Sequence, residues 1–173
     1  MKKNSICRRI LGIDPALAVT GYGIIDAGDD RVSLVKAGVI KTSPRQPLPD
    51  RLNKIYASII DIMSAHNPEV MVLEKIFVHY QHPTTAFLLG QARGIICLAC
   101  ASAGLPLIEY SATRVKKAIA GQGLASKLQV QRMVGMMLNL TSLPRYLDVT
   151  DALALAIAYN YIGKADRLRN AIV

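Results

Sequence analysis

The sequence predicts an α/β fold, a mixed five-stranded sheet flanked by helices, in one domain spanning residues 1–173. Three observations predict it. The first part of the chain carries short apolar runs separated by turn residues, the pattern of a strand meander. At Asp50 the apolar spacing changes to that of a helix. Beyond it, short apolar runs alternate with helical stretches, which gives a sheet with helices packed on it. With 51% hydrophobic residues in 173, the chain can bury one core of ordinary size.

The elements follow in order. Arg9 to Ile13 is a short apolar strand that ends at Asp14-Pro15. Gly21 to Ile25 and Val32 to Ile40 are the next two strands, joined by the Gly28-Asp29-Asp30 turn. Thr42 to Pro49, with three prolines, is a loop. From Asp50, the residues Leu52, Ile55, Tyr56, Ile59, Ile60 and Met63 recur at helical spacing, and Asn67-Pro68 ends that helix. Val70 to Leu73 is a continuous apolar run, as a buried central strand requires, and it ends on Glu74. After a loop from Lys75 to Pro83 comes a long helix, about Thr84 to Ala103. It is apolar or small on most faces, so it is either deeply buried or partly covered by another subunit. Leu105 to Ile108 is the fifth strand. Ser111 caps a helix that runs to Ala120 and breaks at Gly121-Gln122-Gly123. Ser126 to Asn139 and Asp148 to Ile162 are the last two helices.

Composition narrows the function. Lys and Arg number 21 against 12 acids, a formal charge of +9. Such an excess points to a polyanionic partner rather than to solubility alone. Its distribution supports this. No acid lies between Glu109 and Asp148, while Arg114, Lys116, Lys117, Lys127, Arg132 and Arg145 all do, the footprint of a phosphate backbone. Cys97 and Cys100 form a C-x-x-C, but inside an apolar run with no second pair, so they are small core residues rather than half a zinc site. The sparse, odd cysteine count suits a reducing compartment. The basic N-terminus lacks an apolar signal core, and the longest apolar stretch, Gly94 to Ala103, is too short to span a membrane. The protein is therefore expected in the cytoplasm, with no membrane partner.

Three carboxylates sit against apolar segments. Asp14 closes one central strand, Glu74 closes another, and Asp151 opens the run Ala152 to Ala158. Asp148 lies three residues before Asp151, on the same helix face. Convergence of the four would need protons or a cation to offset their repulsion, because unpartnered buried carboxylates are costly. Hard oxygen donors suit Mg²⁺ or Mn²⁺, and two such ions activate water and stabilise the leaving oxygen of a phosphodiester. Each residue also has a plainer role: Asp148 as a helix cap, Asp14 as a turn residue before Pro15. Glu109 also ends a strand, but the following Ser111 and helix make it near-cap structure.

Several stretches together resemble the RuvC family of crossover-junction endonucleases. They are Leu11-Gly12-Ile13-Asp14-Pro15 with Thr20-Gly21-Tyr22-Gly23, then Glu74-Lys75-Ile76-Phe77, and Leu89-Gly90-Gln91-Ala92-Arg93-Gly94. Arg114-Val115-Lys116-Lys117, Ser126 to Gln131, and Asp148-Val149-Thr150-Asp151-Ala152-Leu153-Ala154 complete the set, in the family's order and over nearly the whole chain. The resemblance implies a ribonuclease-H-like fold and a homodimer that makes paired nicks across four-way DNA junctions. It implies Mg²⁺ (with Mn²⁺ substituting), two ions per subunit, held by Asp14, Glu74, Asp148 and Asp151. It assigns catalytic importance to Lys116 and Lys127 and base stacking to Phe77. A branch-migration helicase complex of the RuvA-RuvB type is the implied protein partner. Tyr80 is a second stacking candidate in the same loop, and Arg114 and Lys117 join Lys116 and Lys127 as DNA contacts. His79 and His82 are phosphate neighbours or surface residues.

The sequence departs from the family at Ala16-Leu17, where a glycine and a small polar residue usually follow Asp-Pro. A glycine there would permit an unusual backbone angle or a close phosphate approach. Three rival readings are an RNA–DNA hybrid nuclease on the same fold, a non-catalytic junction-binding protein, and a phosphotransferase of actin-like fold suggested by Asp14 near Gly21 and Gly23. Gly121 to Lys127 does not match a P-loop, which needs Gly immediately before the Lys.

Overall fold

The computed structural model describes residues 7–28, 31–75 and 83–170. Its strands are β1 (Arg8–Asp14), β2 (Val19–Ala27), β3 (Val32–Lys41), β4 (Val70–Glu74) and β5 (Leu107–Tyr110). Its helices are α1 (Leu48–His66), α2 (Pro83–Ser102), α3 (Ala112–Ala120), α4 (Lys127–Met137) and α5 (Leu147–Asn170). The expected element order is observed. β1 and β2 start earlier than their apolar runs, and α5 continues well past Ile162, because pairing and packing extend elements beyond their sequence signals.

The strands form one sheet in the order β3-β2-β1-β4-β5. β1, β2 and β3 pair antiparallel, whereas β4 runs parallel to both β1 and β5. Alternation along each strand divides the core in two. Ile10, Val70, Val72 and Ile25 face the helices α3, α4 and α5. Leu11, Ile13, Met71, Leu73 and Ile24 face α1 and α2.

The helices are bounded by their own caps. Asn67 takes the left-handed conformation after α1, with φ 48°, and its N–H donates to Met63. Ser111 accepts from the N–H of Arg114 at the start of α3. Ser126 accepts from the N–H of Gln129, whose side chain accepts from the N–H of Ser126, a complete capping box on α4. Ser126→Ala is expected to cost about 1 kcal/mol. At this chain length that lowers Tm by roughly 2–4 °C. A calorimetric scan with no change in Tm would refute the cap's role.

α2 decides between two expected alternatives. Among its described side chains only Ala92, Ile96, Ala99 and Cys100 are buried, while Phe87, Leu88 and Leu98 are exposed. The helix is therefore not deeply buried but half-covered. Thr84–Ser102 is also, by length and composition alone, apolar enough to cross a membrane, with 22% of it buried. Phe87, Leu88 and Leu89 add a second apolar run one to two turns before Gly94, which is why the short run Gly94 to Ala103 understates it. Cys100 packs in the core, and its thiol donates to the carbonyl of Leu105 at 3.0 Å.

Candidate active site

β1 and β4 are parallel neighbours, with Ile13 beside Leu73, so Asp14 and Glu74 leave the same edge of the sheet side by side. Strand alternation decides which way they point. Asp14 shares the parity of Ile10, and Glu74 that of Val70 and Val72, so both project to the face that carries α5. Glu109 has the opposite parity: it pairs with Leu73, whose side chain faces α1 and α2. There it forms an ion pair with Arg93 of α2. Glu109 thus resembles the other strand-end acids in sequence but lies on the other face of the sheet.

Glycines set the approach of α5. A Cβ on Gly12 would lie 2.0 Å from the backbone oxygen of Ala152, and one on Gly21 would lie 2.1 Å from that of Asp148. Gly23 leaves room for Leu153 in the same way. The three glycines flatten β1 and β2 under the first turns of α5, which brings Asp148 and Asp151 to the sheet edge. Ala152 and Ala156, one turn apart on the face toward Gly12, carry no bulk to hold the helix off the sheet, and both are buried.

The electrostatics of the four carboxylates are coupled. Burial, then the charges of Asp151, Glu74 and Asp148, push the Asp14 carboxyl up to about 7 against the pull of Lys127. Burial and Asp151 raise Glu74, opposed by Lys127 and Lys116. Burial is also the main cause of the rise at Asp151, opposed chiefly by Lys127, whose ammonium lies 3.7 Å away. Asp148 sits in the first turn of α5, where the helix dipole favours a negative charge.

Glu74, Asp151, Lys116 and Lys127 line one cavity of about 170 Å³, walled by Val115, Val130 and Leu155. Among the described residues, no three acidic, histidine or cysteine side chains form a ready ligand set for one ion. Like charges repel, and Lys127 draws Asp151 towards itself, so the acids share a field rather than a point. The donor set still fits a hard divalent cation: four carboxylates, three of them held above their ordinary range, gain most from a multivalent positive charge. Lys127→Met is expected to raise Asp14, Glu74 and Asp151 further, because Lys127 lowers all three. Carboxyl-carbon NMR titration would show this, and unchanged midpoints would exclude Lys127 as their counter-charge.

The other candidates divide. Arg114 pairs with Asp166 at 3.7 Å and lies 5.0 Å from the Tyr110 ring, away from the cavity. Lys117 is exposed on α3 and does not line the cavity. Phe77, Tyr80, His79 and His82 lie outside the described residues. Ala16 has no left-handed backbone: Asn67 and Asn139 are the only described non-glycine residues at positive φ. Its carbonyl accepts from the hydroxyl of Thr20 at 2.6 Å, so the departure from glycine introduces no strain here.

Sequence reading missed Arg93 as a support for the site. Its guanidinium donates to the backbone carbonyl of Glu74 at 2.8 Å while also pairing with Glu109, so α2 is tied to the end of β4. No sequence signal points to that link. The close approach of α5 was also missed, and glycines inside two adjacent strands, Gly12, Gly21 and Gly23, are the signal that could have marked it.

Comparison with known proteins gives the family and the fold. The family model described as crossover junction endodeoxyribonuclease RuvC matches residues 10–159. The RuvC crossover junction endodeoxyribonuclease of Rhodopirellula baltica is 47% identical over 154 residues, covering 89% of this chain and 86% of its own. That of Pelotomaculum thermopropionicum is 45% identical over 150 residues, covering 87% and 91%. The Thermus thermophilus RuvC structure in complex with a Holliday junction substrate superposes with a TM-score of 0.86 at 32% identity, covering 92% of this chain and 96% of that one. The yeast mitochondrial Holliday junction resolvase shares the fold, with a TM-score of 0.70 at 13% identity and coverage of 94% and 82%.

Proposed function

Because the chain belongs to the RuvC family of crossover junction endodeoxyribonucleases, we propose that its four-carboxylate edge is the seat of phosphodiester hydrolysis. The protein is a nuclease that resolves four-way DNA junctions, and its chemistry depends on divalent metal. The observation that carries the site is one of parity and packing. Strand alternation points Asp14 and Glu74 at the face on which three glycines seat the first turns of α5.

Asp14, Glu74, Asp148 and Asp151 would hold Mg²⁺, two ions per subunit, with Mn²⁺ substituting. The cations would supply the charge that activates water and steadies the leaving oxygen. Lys116 and Lys127 neutralise the phosphate from the wall of the same cavity, and the helix dipole of α5 offsets part of the acids' repulsion. Phe77 and Tyr80, in the segment after β4, would stack on unpaired bases at the crossover, each such stack contributing about 1–3 kcal/mol. Arg114 and Lys117 would contact the backbone outside the cavity. A single domain over residues 1–173 pairs with a second copy through α2, whose exposed Phe87, Leu88 and Leu98 support that role. The pair then presents two sites to symmetry-related strands. A branch-migration complex of the RuvA-RuvB type is the proposed partner, and the cytoplasm the proposed compartment.

The test is a synthetic mobile four-way junction incubated with the protein in Mg²⁺ or EDTA. Paired, ligatable nicks that need the cation, with 5′-phosphate and 3′-hydroxyl ends, are expected. Tight binding with no nicking in either Mg²⁺ or Mn²⁺ would leave a binding protein, and cleavage confined to RNA–DNA hybrids would assign the site to a different nuclease.

A further inference from the structure

We propose that Lys41, Arg145 and Tyr146 form a second phosphate-binding site, which grips the DNA backbone of the junction arm beside the cleaved strand. The inference rests on the junction-resolving reading above.

The three residues meet where β3 ends and α5 begins. Lys41 is the last residue of β3 and pairs with Val19, just beyond the Asp14–Gly21 pair at the same edge of the sheet. Tyr146 lies two residues before Asp148. β3 is two strands from β1, a lateral distance of about 10 Å. That corresponds to roughly three nucleotides of helical rise along one strand.

The ammonium of Lys41 donates to the hydroxyl of Tyr146 and lies 4.4 Å from its ring centroid. The guanidinium of Arg145 lies 5.9 Å from the same centroid. Among the described residues neither cation is ion-paired with a carboxylate. Asp61, the acid that shares a groove with Lys41, lines it together with Lys54 and is not within ion-pair distance of Lys41. Five other described acids are engaged elsewhere: Asp26 with Arg9, Glu69 with Arg8, Glu109 with Arg93, Asp151 with Lys127 and Asp166 with Arg114.

Two exposed cations gathered on one half-buried phenol, with no carboxylate paired to either, leave a local positive charge that a bound anion would offset. A phosphodiester does so while accepting from both donors, and the ring fixes their spacing. Both cations are exposed, and the cluster stands beside the carboxylate edge rather than in it. It can therefore take the backbone of a strand whose neighbouring phosphate is being cut.

Binding of a fluorescent four-way junction is measured in EDTA across a salt series for the full chain, Lys41→Met/Arg145→Met, Tyr146→Leu and, as a charge control on β3, Lys36→Met. The double variant is expected to lower the slope of log affinity against log salt by about 0.9, one phosphate contact. Affinity near 0.1 M salt falls roughly 5- to 10-fold, a share of the salt-dependent loss expected for a set of such contacts. Its cleavage rate at saturating junction in Mg²⁺ stays within two-fold of the parent. Tyr146→Leu, checked for folding by its melting curve, gives the same slope as the double variant. A slope and affinity for the double variant that match Lys36→Met overturn the site. So does a 100-fold loss of rate at saturation, which would place these residues in the chemistry instead. A parent protein that binds no junction removes the resolvase reading and this inference together. A parent that binds and cleaves, with an unaffected double variant, removes this inference alone.

Discussion

Asp14→Asn is expected to abolish junction cleavage while making the metal-free protein more stable. The first half follows from the proposed ligand set. Loss of one carboxylate removes several kcal/mol of charge stabilisation, and at 1.36 kcal/mol per tenfold the rate falls by about three orders of magnitude or more. Asparagine keeps the shape, so junction binding should remain.

The second half follows from the sign of the titration. In the folded protein the Asp14 carboxyl is pushed up to about 7 from an ordinary 3.8 by burial and then by Asp151, Glu74 and Asp148. The folded state therefore holds the proton more tightly than the unfolded chain. Below pH 3.8 both states are protonated and no penalty exists. As the pH rises to about 7, the unfolded chain ionises first and the fold loses stability. Above 7 the penalty is constant, with an upper bound of roughly 4 kcal/mol from the distance between those values. The asparagine variant escapes it, so its advantage in Tm, measured in EDTA, should grow from nothing near pH 4 to its full size at pH 8. Added Mg²⁺ should then raise the Tm of the parent far more than that of the variant. An advantage that does not change with pH would show that Asp14 bears no such charge burden, and wild-type cleavage by the variant would remove it from the site.

Gly21→Ala and Gly12→Ala should cripple the protein through backbone alone. The added methyl would meet the carbonyl of Asp148 at 2.1 Å or that of Ala152 at 2.0 Å. Neither is a flexible side-chain end that can step aside, so α5 must lift from the sheet. Overpacking of this kind costs typically 1–3 kcal/mol, and more where backbone is struck. A fall in Tm of at least 6 °C is expected. Cleavage should fall further than stability, because Asp148 and Asp151 travel with the helix while Asp14 and Glu74 stay with the strands. Gly163→Ala, also on α5 but with nothing within 4 Å of the new methyl, is the control and should stabilise by about 0.5–1 kcal/mol. Equal effects at all three positions would refute the close approach as the cause.

Much of this was legible in the chain itself. Periodicity determined the ten elements in their order, since the alternation of short apolar runs and amphipathic stretches is a local property. Acids abutting apolar segments marked Asp14, Glu74 and Asp151, and the acid-free stretch from Tyr110 to Leu147 marked the basic wall. The motifs near these residues gave the family. Element bounds were less legible, because pairing extended β2 back to Val19 and packing extended α5 beyond Ile162.

Tertiary structure alone decided the rest. Glu109 and Glu74 both follow short apolar runs in sequence, but β5 runs Leu107–Tyr110 rather than Leu105–Ile108, and only the pairing of Glu109 with Leu73 shows that one points to α2 and the other to α5. The exposure of Phe87 and Leu98 depends on what α1 and the sheet leave uncovered, which no stretch of α2 states. Arg93 reaches the carbonyl of Glu74 across two elements, and Lys41 reaches Tyr146 across a hundred residues of chain. Sequence patterns report how each segment partitions between water and core. Which charged groups then face one another is set by strand parity and helix approach, and these exist only once the segments have packed.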